Sequence, residues 1–443
     1  MRILDFLPIF LAVSGGFFLT SLRAFFLFHP RRVLHTLRGA FSEGKDSFRT
    51  LMLALAGTLG VGNITGVAVG ILLGGAGSVF WLLVSALFAT VLKYAESTLT
   101  ASGGHRDGMI GILRGTFSFG RYLSAFYALL CVGLAFFLGA ALQSRAVVGA
   151  ATAVCTLPPW ISSAIFAVLL FLCLLGGSEK ILNKTAVLIP ITTVLYIILC
   201  IFTIFSEISR LPSVLRMIFS SAFTPSAALS GTFGFLFSSA VREGFCRGLL
   251  SNEAGAGTST LAHAGNRGVS AAAEGILGMC EVFFDTVLLC MLTAFSLLLG
   301  AGDPAEYRDG FSYLFAAFSA LPDGVWRPVL LFCFFTFAAS TALCWYYYGK
   351  IAVGTLTKKK KRRTLYPFFF LLAAGVGGLL PELFLVRTCD YLLFFAGILS
   401  LTALLYHADT VKRETVLAGL MRASGEPRGE RDRRSRRRSR PRS

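Results

Sequence analysis

The sequence predicts an all-α polytopic membrane protein, and three observations carry that prediction. Of 443 residues, 55% are hydrophobic and only 14% charged, with a mean hydropathy of +0.72. Soluble domains hold about 45–50% apolar and about 25% charged residues. Apolar runs of roughly twenty residues recur, each long enough to cross a hydrocarbon core of about 30 Å. The alternating segments of about ten residues that mark a transmembrane barrel are absent from the sequence.

Eleven spans are expected: 5–28, 50–73, 77–98, 120–143, 159–176, 185–206, 228–250, 271–299, 326–350, 366–381 and 389–407. The first lacks a small-residue cleavage site and runs into a basic stretch, so it reads as a retained helix rather than a signal peptide. Basic loops alternate. Arg31, Arg32, Arg38, Lys45 and Arg49, then Arg106 and Arg114, then Lys180 and Lys184, then Arg267, then Lys358 to Arg363 fall on one side with the C-terminal tail. Arg145, Arg210, Arg216, Arg308 and Arg387 fall on the other. The positive-inside rule then places the N-terminus outside and the C-terminus inside. Between the sixth and seventh spans, Leu211, Val214, Leu215, Ile218 and Phe219 recur at helical spacing and predict an amphipathic helix on the outer face.

The net charge of +18 is concentrated in the tail, where Arg428, Arg431, Arg433, Arg434, Arg436, Arg437, Arg438, Arg440 and Arg442 crowd together. Residues 411–443 are expected to form a basic, disordered cytoplasmic segment attracted to anionic lipid, at about 1 kcal/mol per basic residue. No folded basic module accompanies it, so no nucleic-acid partner is expected. Ten cysteines are scattered without a CxxC pair and read as small core residues. The motifs HExxH, GxSxG and GxxxxGK[ST] are missing, so an enzyme is not expected.

One span conflicts with a plain anchor. In Gly57-Thr58-Leu59-Gly60-Val61-Gly62-Asn63-Ile64-Thr65-Gly66, four glycines each weaken a helix by about 1 kcal/mol relative to Ala. Thr58, Asn63 and Thr65 carry polar groups that hydrocarbon cannot satisfy. A helix broken at mid-membrane is tolerated where it is buried or lines a cavity, and in transporters such breaks expose backbone groups to a solute and an ion. The residues therefore point to a solute transporter. Without the first span, ten helices divide into five plus five, which suggests an inverted repeat of about 50–206 and about 228–407 within a domain spanning 1–410. The seventh span is the counterpart of the second, and Gly231, Gly234, Ser238, Ser239 and Gly244 interrupt it.

At these residues the chain resembles the alanine/glycine:cation symporters, also called sodium:alanine symporters. GTLGVGNITGVAVGILLGGAGSVFW is similar to the family's first-repeat signature, and KYAE (Lys93 to Glu96) follows it. GGSEKILNKTAVLIP, LPSVLRMIFSSAFTP, RGLLSNEAGAGTSTLAHA (Arg247 to Ala264) and STALCWYYYG (Ser340 to Gly349) continue the match in order. The resemblance implies a LeuT-like fold in a prokaryotic plasma membrane and import of alanine or glycine with sodium, without any other cofactor. It also implies that the break holds the substrate. Gly60, Val61 and Gly62 would present backbone to the carboxylate, helped by the positive end of the following half-helix. Asn63 would brace the break or accept the ammonium, and Thr65 would stand beside it. Sodium would sit among the carbonyls of Ala56 and Leu59 and the hydroxyls of Ser340 and Thr341, since a hard cation takes oxygen ligands. Thr341 would also border the substrate, and Trp345, one turn on, would wall the pocket.

Other readings of these residues stay open. Ser340 and Thr341 also fit hydroxyls that bond the carbonyl four residues back, and Trp345 to Tyr348 also fit an interfacial aromatic belt. Arg242, Arg247 and Glu253 are expected near the cytoplasmic end, as an ion-pair gate or a structural brace. The chain departs from the family where GGPMYYIEKG appears as RDGMIGILRG and GNMVQANS as GAALQSRA, which keeps Gln143 and introduces Arg145. A same-fold carrier with another substrate or with proton coupling is the alternative; a channel or receptor is a more distant one.

Overall fold

The computed structural model describes residues 3–43, 47–175, 177–223, 238–264, 266 and 269–421. The described chain is helical. After a 3-10 turn come α1 (Leu7–Ser21), α2 (Pro30–Glu43), α3 (Ser47–Thr58), α4 (Thr65–Gly74), α5 (Gly77–Gly103), α6 (Met109–Thr116), α7 (Gly120–Cys155), α8 (Pro159–Leu174), α9 (Gly177–Ser206) and α10 (Leu211–Ala222). Then follow α11 (Ser239–Asn252), α12 (Ala271–Gly300), α13 (Gly310–Ala317), α14 (Asp323–Leu356), α15 (Lys360–Gly377), α16 (Glu382–Tyr406) and α17 (Ala408–Leu417).

Among the described residues, seven helices are long and apolar enough to cross a membrane. A bent pair, Ser47–Thr58 with Val61–Gly74, makes an eighth when taken as one span, and its halves meet at 59°. α3 has 12 residues and α4 has 10; at 1.5 Å per residue the break lies about 18 Å from one end and about 15 Å from the other. That is the middle of a 30 Å layer. The first span is shorter than expected, because Arg23 and Ala24 take positive φ and end α1 before Phe25.

For orientation, the side where α5 begins is called upper and the side where it ends lower. α5 is the central strut, and close contacts on glycine fix its neighbours. A Cβ at Gly244 or Gly248 of α11 would lie 2.6 Å from Trp81 Cβ or 2.1 Å from Ser85 Oγ. Small residues four apart thus let α11 lie directly on α5 and parallel to it. α12 is antiparallel: Gly275 lies beside Tyr94 and Thr98, and Gly278 beside Lys93 and Ser97. The predicted amphipathic helix is α10, with Val214, Ile218 and Ala222 buried and the Ala222 carbonyl accepting from Trp81 Nε1 at 2.8 Å.

Two sequence expectations need correction. Ser238 caps α11 by accepting from Val241 N at 3.3 Å, and Ser239 and Gly244 lie within a continuous helix. The second break falls later, at 253–259, where Glu253, Gly255 and Gly257 have φ of 55°, 88° and 77°. Gly231 and Gly234 lie outside the described residues, as do Lys45, Arg267 and the arginine-rich tail. Second, Arg242 and Arg247 belong to the upper half of the helix bundle. Arg242 pairs with Asp5 at 3.1 Å, and Arg247 with Asp390 at 2.5 Å. Arg387 joins Glu243 at 2.7 Å and Asp390 at 3.2 Å. This network ties the 3-10 turn before α1 (Ile3–Phe6), α11 and α16 together, so it braces the upper side; of the three groups, only Glu253 lies at the break.

Candidate functional site

Where α3 ends, the backbone loses its helical partners. Leu59 N still donates to Leu55 O at 2.6 Å, but Gly60 N turns to Thr58 O at 2.8 Å. A single 3-10 turn, Val61–Asn63, leads into α4. Among the described residues, the carbonyls of Ala56 and Gly57 and the N–H of Gly62 have no hydrogen-bond partner. All three residues are buried. Orphan carbonyls at a helix C-terminus and an orphan N–H just before a helix N-terminus require an outside partner.

Side chains reach this break from two scaffold helices. α14 brings Thr341, whose hydroxyl lies 3.4 Å from Leu59 O; a Cβ at Gly60 would come within 2.7 Å of that hydroxyl. One turn on, Cys344 Sγ donates to Leu53 O at 3.3 Å. Trp345 is fully buried, packed on Gly139 of α7 and edge-on to Tyr348 at 5.5 Å. Its indole N–H finds no acceptor among the described residues. Trp345 and Tyr348 are therefore interior, not belt residues; Tyr348 reaches α3 at Gly57. Ser340 keeps to its own helix, donating to Thr336 O at 2.8 Å and Phe337 O at 3.0 Å. A hydroxyl so engaged keeps acceptor lone pairs.

α7 contributes a residue that sequence reasoning had not assigned to the site. Its stretch Ala135–Leu142 is a π-helix, and Gln143, the residue that follows, donates through Nε2 back to Leu138 O at 3.0 Å. Gln143 Oε1 then accepts from Val61 N at 3.4 Å. π-bulges disrupt the α ladder and often mark functional positions.

α12 bridges the two breaks, again through a π-helix, Phe283–Cys290. Buried Asp285 accepts from Asn63 Nδ2 in the first break and from Ser251 Oγ in the last turn of α11, the latter at 2.6 Å. Thr286 Oγ1 adds a bond at 2.9 Å. The Asn63 side chain thus joins the first break to α12, while Thr65 Oγ1 donates to Val61 O at 3.1 Å and closes the first turn of α4.

The second break is gripped more firmly. Lys93 Nζ donates to Asn252 O at 2.7 Å and pairs with Glu281 at 3.3 Å. Tyr127 OH donates to Ala256 O at 2.6 Å, and Gly257 N to Glu96 Oε1 at 2.8 Å. Thr258 donates to Glu253, and Ser400 to Glu96 at 3.2 Å. KYAE therefore supplies a cation for a carbonyl and a carboxylate for an N–H, four groups that hydrocarbon would otherwise leave unpaired. His263 lies between Glu274, at 2.5 Å, and Glu281. Among the described residues no cluster of three or more His, Cys, Asp or Glu forms a metal site.

With this geometry in hand, similarity can be placed. The sequence profile of the sodium:alanine symporter family matches residues 3–417. A sodium/alanine symporter of Methanococcus maripaludis is 31% identical over 362 residues, 77% of this chain and 78% of that protein. A probable sodium/glutamine symporter of Bacillus subtilis is 30% identical over 76% of this chain and 71% of its own length. Among solved structures, a manganese transporter of Eremococcus coleocola superposes with a TM-score of 0.54 at 15% identity, covering 82% of this chain and 78% of that one. The likeness to that structure is one of fold.

Proposed function

The chain belongs to the sodium:alanine symporter family, and from that premise we propose that it moves a small neutral amino acid, alanine or glycine, together with sodium by alternating access. It is a multi-pass membrane transporter and not an enzyme. The observation that carries the proposal is the set of unpartnered backbone groups at the first break, with Thr341 and Gln143 beside them.

In this reading the substrate carboxylate meets the N–H groups of Val61 and Gly62, at the positive end of α4. Gln143 holds Val61 at only 3.4 Å, so a charged acceptor displaces that contact at small cost. Sodium lies among the carbonyls of Ala56 and Leu59 and the hydroxyls of Ser340 and Thr341. It then ties α3 to α14, while the substrate ties the break to α7. Both ligands favour one arrangement of the broken helix over the other, which alternating access requires. Trp345 limits side-chain size. One charge moving down 100 mV provides about 2.3 kcal/mol, or roughly fiftyfold accumulation.

The repeats are assigned to about 50–206 and about 228–407, each opening on an interrupted helix. The N-terminus is placed outside; the helix Ala408–Leu417 packs on the bundle through buried Val411 and Thr415, so the basic residues beyond 421 are left to meet the anionic inner leaflet. Purified protein in liposomes tests the proposal. Saturable, sodium-dependent uptake of labelled alanine, inhibited by glycine, supports it. Uptake driven equally by a proton gradient without sodium would assign a different coupling ion, and ion current without stoichiometric solute flux would refute the carrier.

A further inference from the structure

A second site stands on the upper side, apart from the break. A cavity of about 560 Å³ opens between the end of α7, the start of α13 and the turn before α16. Its size suits a small ligand. Two opposite charges face it. Arg145 lies over the ring of Phe311, 5.2 Å from its centroid, and among the described residues no carboxylate comes within ion-pair distance of it. Asp309 caps α13 through Oδ1, which accepts from Ser312 N at 2.8 Å, and its other oxygen is free of any bond among the described residues. Behind the lining, buried Glu382 lies beside the Gly310 N–H and the Thr65 hydroxyl at the start of α4, close enough for its charge to be felt by both Arg145 and Asp309.

We propose that this cavity binds a zwitterionic amino acid, with Arg145 receiving the carboxylate and Asp309 the ammonium. A guanidinium offers a carboxylate two parallel N–H donors, and stacking on Phe311 strips part of its hydration and holds it in place. An isolated guanidinium would suit any anion; the carboxylate of Asp309 on the same wall selects against one that lacks a cationic group. The inference takes its ligand class from the transport reading; the cavity and its charges do not depend on it.

The test is thiol protection in the full-length protein in nanodiscs. Cys155, Cys173 and Cys280 are replaced by Ser, and Ser312→Cys places a reporter on the cavity wall. Maleimide labelling is timed with glycine, L-alanine, D-alanine, L-serine or L-glutamine as the probe. An amino acid at ten times its Kd slows labelling about tenfold. Arg145→Gln should remove the protection, and Arg145→Lys should retain part of it. Protection should persist in Gly62→Val, which obstructs the break, even if that variant transports nothing. Protection without uptake by the parent protein would sink the transport reading and leave this site standing. The inference is overturned if no amino acid in the set protects, if Arg145→Gln is protected as well as the parent, or if acetate protects as well as a zwitterion.

Discussion

Replacing Thr341 by Val keeps the buried volume and removes one hydroxyl. That hydroxyl stands 3.4 Å from Leu59 O, a carbonyl that receives no backbone N–H among the described residues. Without ligands the loss leaves Leu59 O against a methyl group. The cost of such an unsatisfied buried acceptor is about 1–3 kcal/mol, and the bond itself contributes about 1 kcal/mol. With sodium bound, the carbonyl has the ion as its partner, and what is missing is one of the four proposed oxygen ligands. If that ligand contributes about 1.4 kcal/mol, the half-saturating sodium concentration rises roughly tenfold. Sodium-dependent uptake in proteoliposomes gives that constant directly. The shift of Tm with sodium concentration gives it again without transport, because an ion that binds only the folded state stabilises it by mass action. Thr341→Ser restores the hydroxyl and should restore sodium affinity. A Thr341→Val protein with lowered Tm but unchanged sodium dependence would mean that Thr341 only ties α14 to α3.

At Gly62 a Cβ would meet Leu250 O at an ordinary 3.7 Å, so Gly62→Ala should keep uptake, whereas Gly62→Val fills the opening over the orphan N–H and should abolish it; normal alanine uptake by the Val variant counts against the backbone–carboxylate contact. Lys93→Met leaves the Asn252 carbonyl without its donor and buried Glu281 with His263 alone and should cost about 3–5 kcal/mol of stability. The double variant Lys93→Met with Glu281→Gln should recover part of that loss in thermal unfolding; strictly additive losses would show that the pair is not coupled. Deleting 425–443 should leave the uptake rate unchanged in liposomes of neutral lipid, and a dead truncation would give the arginine-rich tail a role in transport.

The spans were legible because hydropathy is a property of the segment itself, and the first break was legible for the same reason: glycines and polar groups stand inside an apolar run with no competing explanation. The second break was misplaced by about twenty residues. Gly231 and Gly234 satisfied the same local rule, while Asn252 to Ser259 looked like an ordinary polar loop. What makes that loop tolerable inside the bundle is Lys93, Glu96 and Tyr127, partners 129 to 161 positions away that no local pattern reveals. Gln143 and Asp285 escaped assignment for a related reason. Their partners, Val61 N for Gln143 and Asn63 with Ser251 for Asp285, stand on other helices, so an interior-facing polar residue in a span did not by itself say which site it serves. Arg242 and Arg247 were put at the wrong depth because their span was taken to end at residue 250, whereas the helix runs to Asn252 and then breaks inside the bundle.

The two interruptions also differ in how they are held, and the difference bears on which of them moves. At the second, two carbonyls and an N–H are bonded at 2.6 to 2.8 Å by side chains of α5 and α7, two of them ionisable and both of those buried. Charge-assisted bonds of that length are the strong ones, and in a dry interior they fix the backbone they reach. At the first, Asp285 bonds only the side chain of Asn63; the backbone of Leu59 and Val61 is met, among the described residues, by a neutral hydroxyl and a neutral amide, each at 3.4 Å, where a hydrogen bond is weak. Two carbonyls and an N–H there remain without a partner. A segment whose polar groups are already bonded gains little from a ligand; one whose groups are poorly bonded gains a partner for each. The free energy of ligand binding is therefore released at the first break, and Asp285, touching both through Asn63 and Ser251, is the point through which a change at the first is felt at the second.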